Sequence, residues 1–200
     1  MNTVPCMKRI ELNNRNQKNE CGKVGIIMKT KMSTKKLVQT GAMLALALVF
    51  QIGFASFSQV VVGPLVNMVL FVTAAIVSPL SAVMVGVVTP LIAFLIGMPL
   101  LFPVVPVIAV GNCILVVIFS YFYHQMNFKY SPILGILSAA FLKFIFLATS
   151  IRLIVPLFVP QVPGPLIIAL SFNQFITATI GGILALALIK PLNYIINQKK

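Results

Sequence analysis

Acidic side chains are nearly absent from this sequence. Its 200 residues include only Glu11 and Glu20, and no carboxylate side chain follows Cys21. A carrier driven by protons or sodium generally places Asp or Glu in its membrane spans to bind the coupling ion. Backbone carbonyls at broken helices can also hold sodium. The absence therefore argues against a small secondary transporter working alone, but leaves it open as an alternative.

Residues that carry catalysis and metal binding are also scarce. His124 is the sole histidine and sits at a predicted cytoplasmic helix end, so there is no His/Asp/Glu cluster for a metal, and a Ser–His arrangement has no evident partners. No Gly-x-x-x-x-Gly-Lys-Ser/Thr motif occurs, so the chain cannot hydrolyse ATP itself. Cys6 and Cys21 precede the apolar region and Cys113 lies inside it, which implies no disulfide framework. We expect no enzyme activity, no metal and no cofactor.

Hydrophobic residues dominate what is present. They make up 60% of the chain, charged residues make up 8%, and the mean hydropathy is +1.06. A soluble domain keeps roughly a quarter of its residues charged because its surface faces water. The composition therefore predicts an integral membrane protein.

Positive charge is concentrated at the N-terminus. Nine of the fifteen Lys and Arg residues lie between Lys8 and Lys36. Beside a membrane span, such a tail is a topology signal that faces anionic lipid headgroups rather than a nucleic-acid site. We expect residues 1–36 to be a disordered cytoplasmic tail, or in part an artefact of a translation start that lies at Met28 or Met32.

Six apolar runs are long enough to cross a bilayer core of about 30 Å as helices. They predict an all-α membrane domain over residues 37–193, followed by a basic cytoplasmic C-terminus at 194–200. The predicted spans are Leu37–Ala55, Val60–Val77, Leu80–Ile96, Val104–Tyr123, Pro132–Leu153 and Pro165–Ile189.

Lysine and arginine in the flanks predict the orientation. An even number of spans places both termini on one side, together with Lys129, Lys190, Lys199 and Lys200, and leaves Arg152 on the other. Both termini are therefore expected in the cytoplasm. The outward connections at 97–106 and 155–165 are rich in proline and apolar residues. They form either a rigid lid over a cavity or simple helix ends at the interface.

Polar residues inside the spans fall at a similar predicted depth. With a rise of about 1.5 Å per residue, residues from several helices lie in the middle-to-outer layer of the membrane. Lys143 is the only full charge well inside, and no carboxylate is available to pair with it. We expect a cavity there in which Lys143 contacts an anionic or carbonyl group of a ligand. Interhelical hydrogen bonding is the alternative explanation for each amide. The candidate binding residues are Lys143, Asn112, Asn173, Asn67, Gln174 and Gln51.

The first span and several short motifs resemble the substrate-specific S components of energy-coupling factor (ECF) transporters, in a branch found in Firmicutes. The resemblance covers about Leu37 to Asn193 and leaves the tail outside it. The motifs are the run from Leu37 to Gln51, Gly63-Pro-Leu-Val-Asn67, Ser78-Pro79, Gly86-Val-Val-Thr-Pro90, Pro103-Val-Val-Pro106, Gly111-Asn112 and Leu142-Lys143-Phe144.

This resemblance implies a six-helix subunit that binds a vitamin or related micronutrient from outside. Family members work with a transmembrane T subunit and two ATPase subunits, and are thought to topple in the membrane to release substrate. Their first helix meets the T subunit through Ala-x-x-x-Ala, for which this chain offers Gly41-x-x-x-Ala45. Their cavity lies in the outer halves of helices four to six, where Asn112, Lys143 and Asn173 fall. The resemblance transfers no substrate, and a membrane scaffold or immunity-type protein stays open as a third interpretation.

Overall fold

A computed structural model shows an all-helical chain. It describes residues 33–54, 59–96, 102–126, 130–153, 155–157 and 172–198, and within these ranges there are six α-helices and no strand. The predicted disordered tail and most of the two proline-rich outer connections lie outside the described residues. The membrane domain belongs to one compact unit, Lys35–Lys200.

The six helices follow the six predicted spans in order. They are α1 (Thr34–Gly53), α2 (Gln59–Ile76), α3 (Pro79–Leu95), α4 (Val104–Gln125), α5 (Ser131–Leu153) and α6 (Phe172–Gln198), with a short 3₁₀ turn at Val155–Leu157 between the last two. The predicted end of the sixth span at Ile189 is wrong for the helix, which continues through Pro191. Hydrophobicity marks where lipid ends, whereas a helix can continue into water beyond that point.

Length and composition agree with a multi-pass membrane protein. In the described part of the chain, α1, α4, α5 and α6 are long and apolar enough to cross a membrane, and α2 and α3 are somewhat shorter apolar helices. Exposed side chains on these helices are mostly large and apolar. A bundle with such an exterior is solvated by lipid rather than by water.

Local chemistry accounts for where α3 and α4 begin. Ser78 is the N-cap of α3, where its Oγ accepts a hydrogen bond from Ser81 N at 3.1 Å, and Pro79 follows in the first helical position. Proline fits there because that N–H would have no partner within the helix. Pro103 precedes α4 and Pro106 lies in its first turn, as the sequence predicts.

The helices form a bundle in which α2 packs along α6 and α4 packs against both α3 and α5. Close approach of α2 and α6 depends on small residues. A Cβ atom at Gly63 would lie 2.9 Å from Thr177 Cβ, and one at Gly181 would lie 2.5 Å from Pro64 O. Because Gly63 faces Thr177 and the region of Pro64 to Asn67 faces Gly181, the two helices run in parallel.

Aromatic rings fill the half of the bundle expected to face the cytoplasm. Phe71 and Phe119 are fully buried and meet edge to face at 4.8 Å, and Tyr123 stacks on Phe119 at 5.4 Å. Polar contacts connect the helix ends on the expected cytoplasmic side of these rings. Asn193 of α6 donates to Tyr123 Oη of α4, and a ring nitrogen of His124 of α4 lies 3.2 Å from Ala74 O of α2. This half of the bundle is a packed core.

Helix α1 is attached to the bundle by few contacts. Thr40 and Ala47 are its buried residues, and the Thr40 hydroxyl lies 2.7 Å from Ser81 Oγ of α3. Gly41 and Ala45 are exposed on another side of the helix. A small, open face of this kind leaves room for another helix to approach closely.

Candidate functional site

Lys143 lies near the middle of α5 and is the most deeply buried charged group among the described residues, with 2% of its surface exposed. Its Nζ donates hydrogen bonds to Asn67 Oδ1 of α2 and to Asn112 Oδ1 of α4, each at 2.9 Å. Both asparagines are buried. Three helices thus bring three of the predicted binding residues into direct contact.

A proline in α3 helps to orient Asn112. The carbonyl of Gly86 would normally accept a hydrogen bond from the N–H of residue 90, four positions later. Pro90 has no N–H, so this carbonyl needs another donor. Asn112 Nδ2 supplies it at 2.9 Å. The Asn112 amide is therefore held with its nitrogen toward α3 and its oxygen toward Lys143.

The chemistry of the partners fixes the direction of both amides. A lysine ammonium can only donate hydrogen bonds, and a backbone carbonyl can only accept them. The Asn67 and Asn112 atoms that face Lys143 must therefore be oxygens, and the Asn112 atom that faces Gly86 must be nitrogen. The arrangement in the structure satisfies each of these conditions.

Two glycines allow the helices to approach around this group. A Cβ atom at Gly86 would lie 3.1 Å from Asn112 Cβ, and one at Gly181 would lie 2.9 Å from Asn67 Cβ. Larger residues would push α4 away from α3, or α2 away from α6. The positions of both asparagines thus depend on the absence of a side chain on a neighbouring helix.

The charge on Lys143 has no acidic partner. Neither acidic residue of the chain lies beyond Glu20, and the two oxygens that Lys143 contacts belong to neutral amides. Amides lower the cost of burying an ammonium, but they do not neutralise it. The cluster of Lys143, Asn67 and Asn112 is therefore suited to hold an anionic or carbonyl oxygen. We call it the Lys143 cluster.

Asn173 and Gln174 are not part of the Lys143 cluster. Both are half-buried near the start of α6, and no hydrogen bond to Lys143 from either is found among the described residues. Gly181, which faces Asn67, lies seven residues beyond Gln174 and eight beyond Asn173, or about 10–12 Å along the helix. The prediction that this pair shares the depth of Asn67 is therefore wrong. That estimate counted residues from the predicted start of the span at Pro165, whereas the contact of Gly181 with Asn67 fixes the relative level of α6 and α2 directly.

Gln51 also lies apart from the Lys143 cluster. It is half-buried near the end of α1, and its Oε1 is buried with no hydrogen-bond partner in the part of the chain that the structure describes. Buried polar atoms are usually paired, so an unpaired one needs an explanation. A role for Gln51, Asn173 and Gln174 in binding stays a prediction.

The predicted docking residues occupy an open surface. A Cβ atom at Gly41 would meet nothing within 4 Å, and Ala45, one turn later, is exposed. Space for a second helix is therefore present on this side of α1. Contact with a T subunit stays a prediction.

Sequence reasoning missed the supporting residues Gly86, Pro90 and Gly181 as members of the site. The sequence contained signals for all three, because Gly86 and Gly181 belong to small-residue patterns at spacing four, and Pro90 follows Gly86 by four residues. Those patterns indicate close helix contacts, but they do not say which side chain lies at the contact. Only the pairing of α3 with α4 and of α2 with α6 identifies Asn112 and Asn67 as the neighbours.

Comparison with protein-family models gives a match over most of the chain. The family model described as "ECF transporter, substrate-specific component" matches residues 35–193, which include all or most of each of the six helices and the complete Lys143 cluster. Comparison with curated proteins gives no match.

Proposed function

We propose that this chain, which belongs to the family of ECF transporter substrate-specific components, captures a vitamin or related small micronutrient outside the cell for an ATP-driven importer. The membership makes it a substrate-specific membrane subunit. The micronutrient and the ATP-driven assembly are the proposal. ATP hydrolysis is assigned to partner subunits because the chain has no nucleotide-binding motif.

The observation that carries the proposal is the buried Lys143 ammonium without an acidic partner. A charge at this depth is costly, and in membrane proteins such residues commonly mark substrate or ion pathways. If the only role of this position were to hold helices together, an uncharged amide or hydroxyl side chain would serve equally well. The presence of an ionisable amine with no acidic partner, rather than an amide or hydroxyl, therefore favours ligand binding over packing alone.

The other candidate residues suggest how a small molecule would lie. Asn173 and Gln174 lie about 10–12 Å from the level of Asn67 along α6, toward the end expected to face outside. That distance is comparable to the length of a small micronutrient. We assign the buried end of the ligand to the Lys143 cluster and its outer end to Asn173, Gln174 and Gln51.

Partner subunits are assigned by family membership and by the surface of α1. An ECF-type importer combines the substrate-specific subunit with a transmembrane T subunit and two ATPase subunits. The exposed pair Gly41 and Ala45 replaces the Ala-x-x-x-Ala pattern of the family with a similarly small one. We assign this face of α1 to the T subunit.

Co-expression of the full chain with a T subunit and two ATPases tests the proposal. We expect the four subunits to purify together, and we expect uptake of the substrate to require ATP. In the same assay Lys143→Ala should weaken ligand binding far more than Lys129→Ala, because Lys129 lies outside the apolar spans.

Three results would contradict the proposal. Transport by the chain alone down an ion gradient would favour a secondary carrier. Equal effects of the two lysine substitutions on ligand binding would show that Lys143 is not part of the binding site. A chain that binds neither the partner subunits nor any small molecule would favour a membrane scaffold.

A further inference from the structure

In the Lys143 cluster, both side-chain acceptors are hydrogen-bonded, whereas several donor hydrogens are not. Asn67 Oδ1 and Asn112 Oδ1 both accept from Lys143, and they are the only side-chain acceptors that the cluster contains. The donors are used less completely. A lysine ammonium has three N–H groups, and Lys143 directs two of them to these oxygens.

The asparagine nitrogens add further unused donors. Asn112 Nδ2 gives one N–H to Gly86 O, and its second has no acceptor among the described residues. Asn67 Nδ2 likewise has no acceptor within the described ranges, although Asn67 is 3% exposed. Together with the third N–H of Lys143, the cluster has four donor hydrogens available and no side-chain acceptor fully free.

Charge restricts the ligand further. Lys143 is the only ionisable group in the cluster and contributes at most one positive charge, and no other lysine or arginine lies between Leu37 and Gly111 or within one helical turn of Lys143. Arg152 is exposed at the end of α5, nine residues or about 13 Å away. A single negative charge would neutralise the site, whereas a phosphate monoester at pH 7 carries about −1.5 to −2.

We propose that the Lys143 cluster binds the carboxylate of a monoanionic ligand, and that it discriminates against cationic ligands and against neutral ligands that need an acceptor at this position. The inference rests on the proposed function. It adds that Lys143 Nζ and Asn67 Nδ2 donate to the carboxylate, while Asn112 is held in place by Gly86. Two carboxylate oxygens accept up to about four hydrogen bonds, so they can accept the one free N–H of Lys143 and both N–H groups of Asn67.

The same cluster excludes cations for two reasons. A cation would be repelled by the Lys143 ammonium at close range in a medium of low dielectric constant. It would also find the two amide oxygens already engaged by Lys143. A neutral carboxamide would place its own N–H₂ group against the N–H donors of the cluster. Neither set of donors would then have an acceptor.

The test begins with the full chain purified from cells grown in rich medium. Small molecules released by denaturation are identified by mass spectrometry for the wild type, for Lys143→Met and for the exposed control Lys190→Met. We expect the wild type and Lys190→Met to retain a compound with one carboxylate, and Lys143→Met to lose at least nine-tenths of it. Converting the carboxylate of that compound to a primary amide should weaken its binding to the wild type at least 100-fold, and its binding to Lys143→Met less than tenfold.

The outcomes separate the inference from the proposed function. A retained compound that is cationic, neutral or phosphorylated, or an amide that binds the wild type as tightly as the acid does, overturns the carboxylate assignment and leaves the proposed function standing. A wild-type chain that retains no small molecule contradicts the proposed function itself. A compound retained equally by Lys143→Met removes the Lys143 cluster from the site.

Discussion

At the scale of single residues, Asn67 and Asn112 contact the same ammonium but have different second partners. Asn112 Nδ2 satisfies Gly86 O, whereas Asn67 Nδ2 has no protein acceptor within the described part of the chain. Replacing an amide with a carboxylate keeps the oxygen that faces Lys143 and removes the nitrogen. The two asparagines therefore offer a matched pair of substitutions with different expected effects on stability.

Asn67→Asp should fold at least as well as the wild type, because the new carboxylate pairs with the Lys143 ammonium and no protein hydrogen bond is lost. Asn112→Asp should be less stable than Asn67→Asp by about 1–3 kcal/mol, because the buried Gly86 carbonyl loses its donor. Thermal unfolding of both purified variants in the same detergent measures the difference. Equal stability of the two would show that Asn112 does not support α3.

Both aspartate variants should lose the ligand. A protein carboxylate beside Lys143 occupies the position that we assign to the carboxylate of the ligand and repels it. We expect each variant to bind the retained compound at least tenfold more weakly than the wild type in a direct binding titration. Unchanged affinity in Asn67→Asp would contradict the assignment of Lys143 to the ligand.

At the scale of helices, Pro90 determines which group Gly86 O accepts from. Pro90→Ala restores an N–H four residues after Gly86, and this N–H competes with Asn112 for the carbonyl. We expect ligand affinity to fall about tenfold, or about 1.4 kcal/mol. Thermal stability should be unchanged or higher, because alanine favours a helix interior more than proline does. Pro191→Ala in α6 is the matched control.

A different result is expected if Pro90 has only a packing role. If the proline only shapes α3, Pro90→Ala and Pro191→Ala should alter binding equally or not at all. Binding titrations with the same retained compound distinguish the two cases. Similar affinities in the two variants would separate Pro90 from the orientation of Asn112.

Neighbouring glycines in α6 contact different helices. A methyl group at Gly181 would meet Pro64 O and Asn67 Cβ of α2, whereas one at Gly182 would overlap the Ile136 side chain of α5. Gly181→Ala and Gly182→Ala should each destabilise the bundle by about 1–3 kcal/mol through overpacking. We expect only Gly181→Ala to weaken ligand binding as well, by about tenfold, because it displaces Asn67.

Unfolding measurements and binding titrations on these two variants give the comparison. Ligand affinity should be compared at a temperature where both variants remain folded. An equal loss of affinity in the two would mean that general loosening of the bundle, rather than movement of Asn67, controls binding.

At the scale of the whole molecule, we expect the open face of α1 to bind partner subunits and the rest of the bundle to hold the buried end of the ligand. The Lys143 cluster lies among α2, α4 and α5, while the open face at Gly41 and Ala45 lies in the first half of α1 and Gln51 lies near the end of that helix. Binding of the ligand and binding of partner subunits should therefore be separable. A substitution on the open face of α1 can alter one without the other.

Gly41→Leu combined with Ala45→Leu should abolish co-purification with the T subunit and leave ligand binding within about twofold of the wild type. Leucine side chains fill the open face, where a Cβ at Gly41 meets nothing within 4 Å and Ala45 is exposed. Val117→Leu, at an exposed position of α4, is the control for added bulk in lipid. Normal assembly in the double variant would place the T subunit on another surface.

The sequence was informative about the fold for a simple physical reason. Lipid imposes one requirement on a spanning segment, which is about 20 apolar residues in a helix, and this requirement is visible in a single chain. All six helices were found, and their order and most ends were predicted. The end of α6 was missed because Lys190 and Pro191 mark the end of the apolar run but not of the helix.

The Lys143 cluster was predicted in part because burial of a lone charge limits the possible partners. Lys143, Asn67 and Asn112 were selected by depth, and the structure brings them into contact. Depth could not place Asn173 and Gln174, because their level relative to Asn67 depends on how α6 pairs with α2. The roles of Gly86 and Pro90 also depend on which helices are neighbours, and a single sequence does not contain that information.

A structure of the full chain with its retained compound is the most direct test of the central claim. We predict an oxygen of the ligand within about 3 Å of Lys143 Nζ, with Asn67 and Asn112 still in contact with the same ammonium. A bound compound elsewhere in the bundle, with Lys143 still contacting only these two amides, would contradict the claim and reduce the Lys143 cluster to a structural contact between helices.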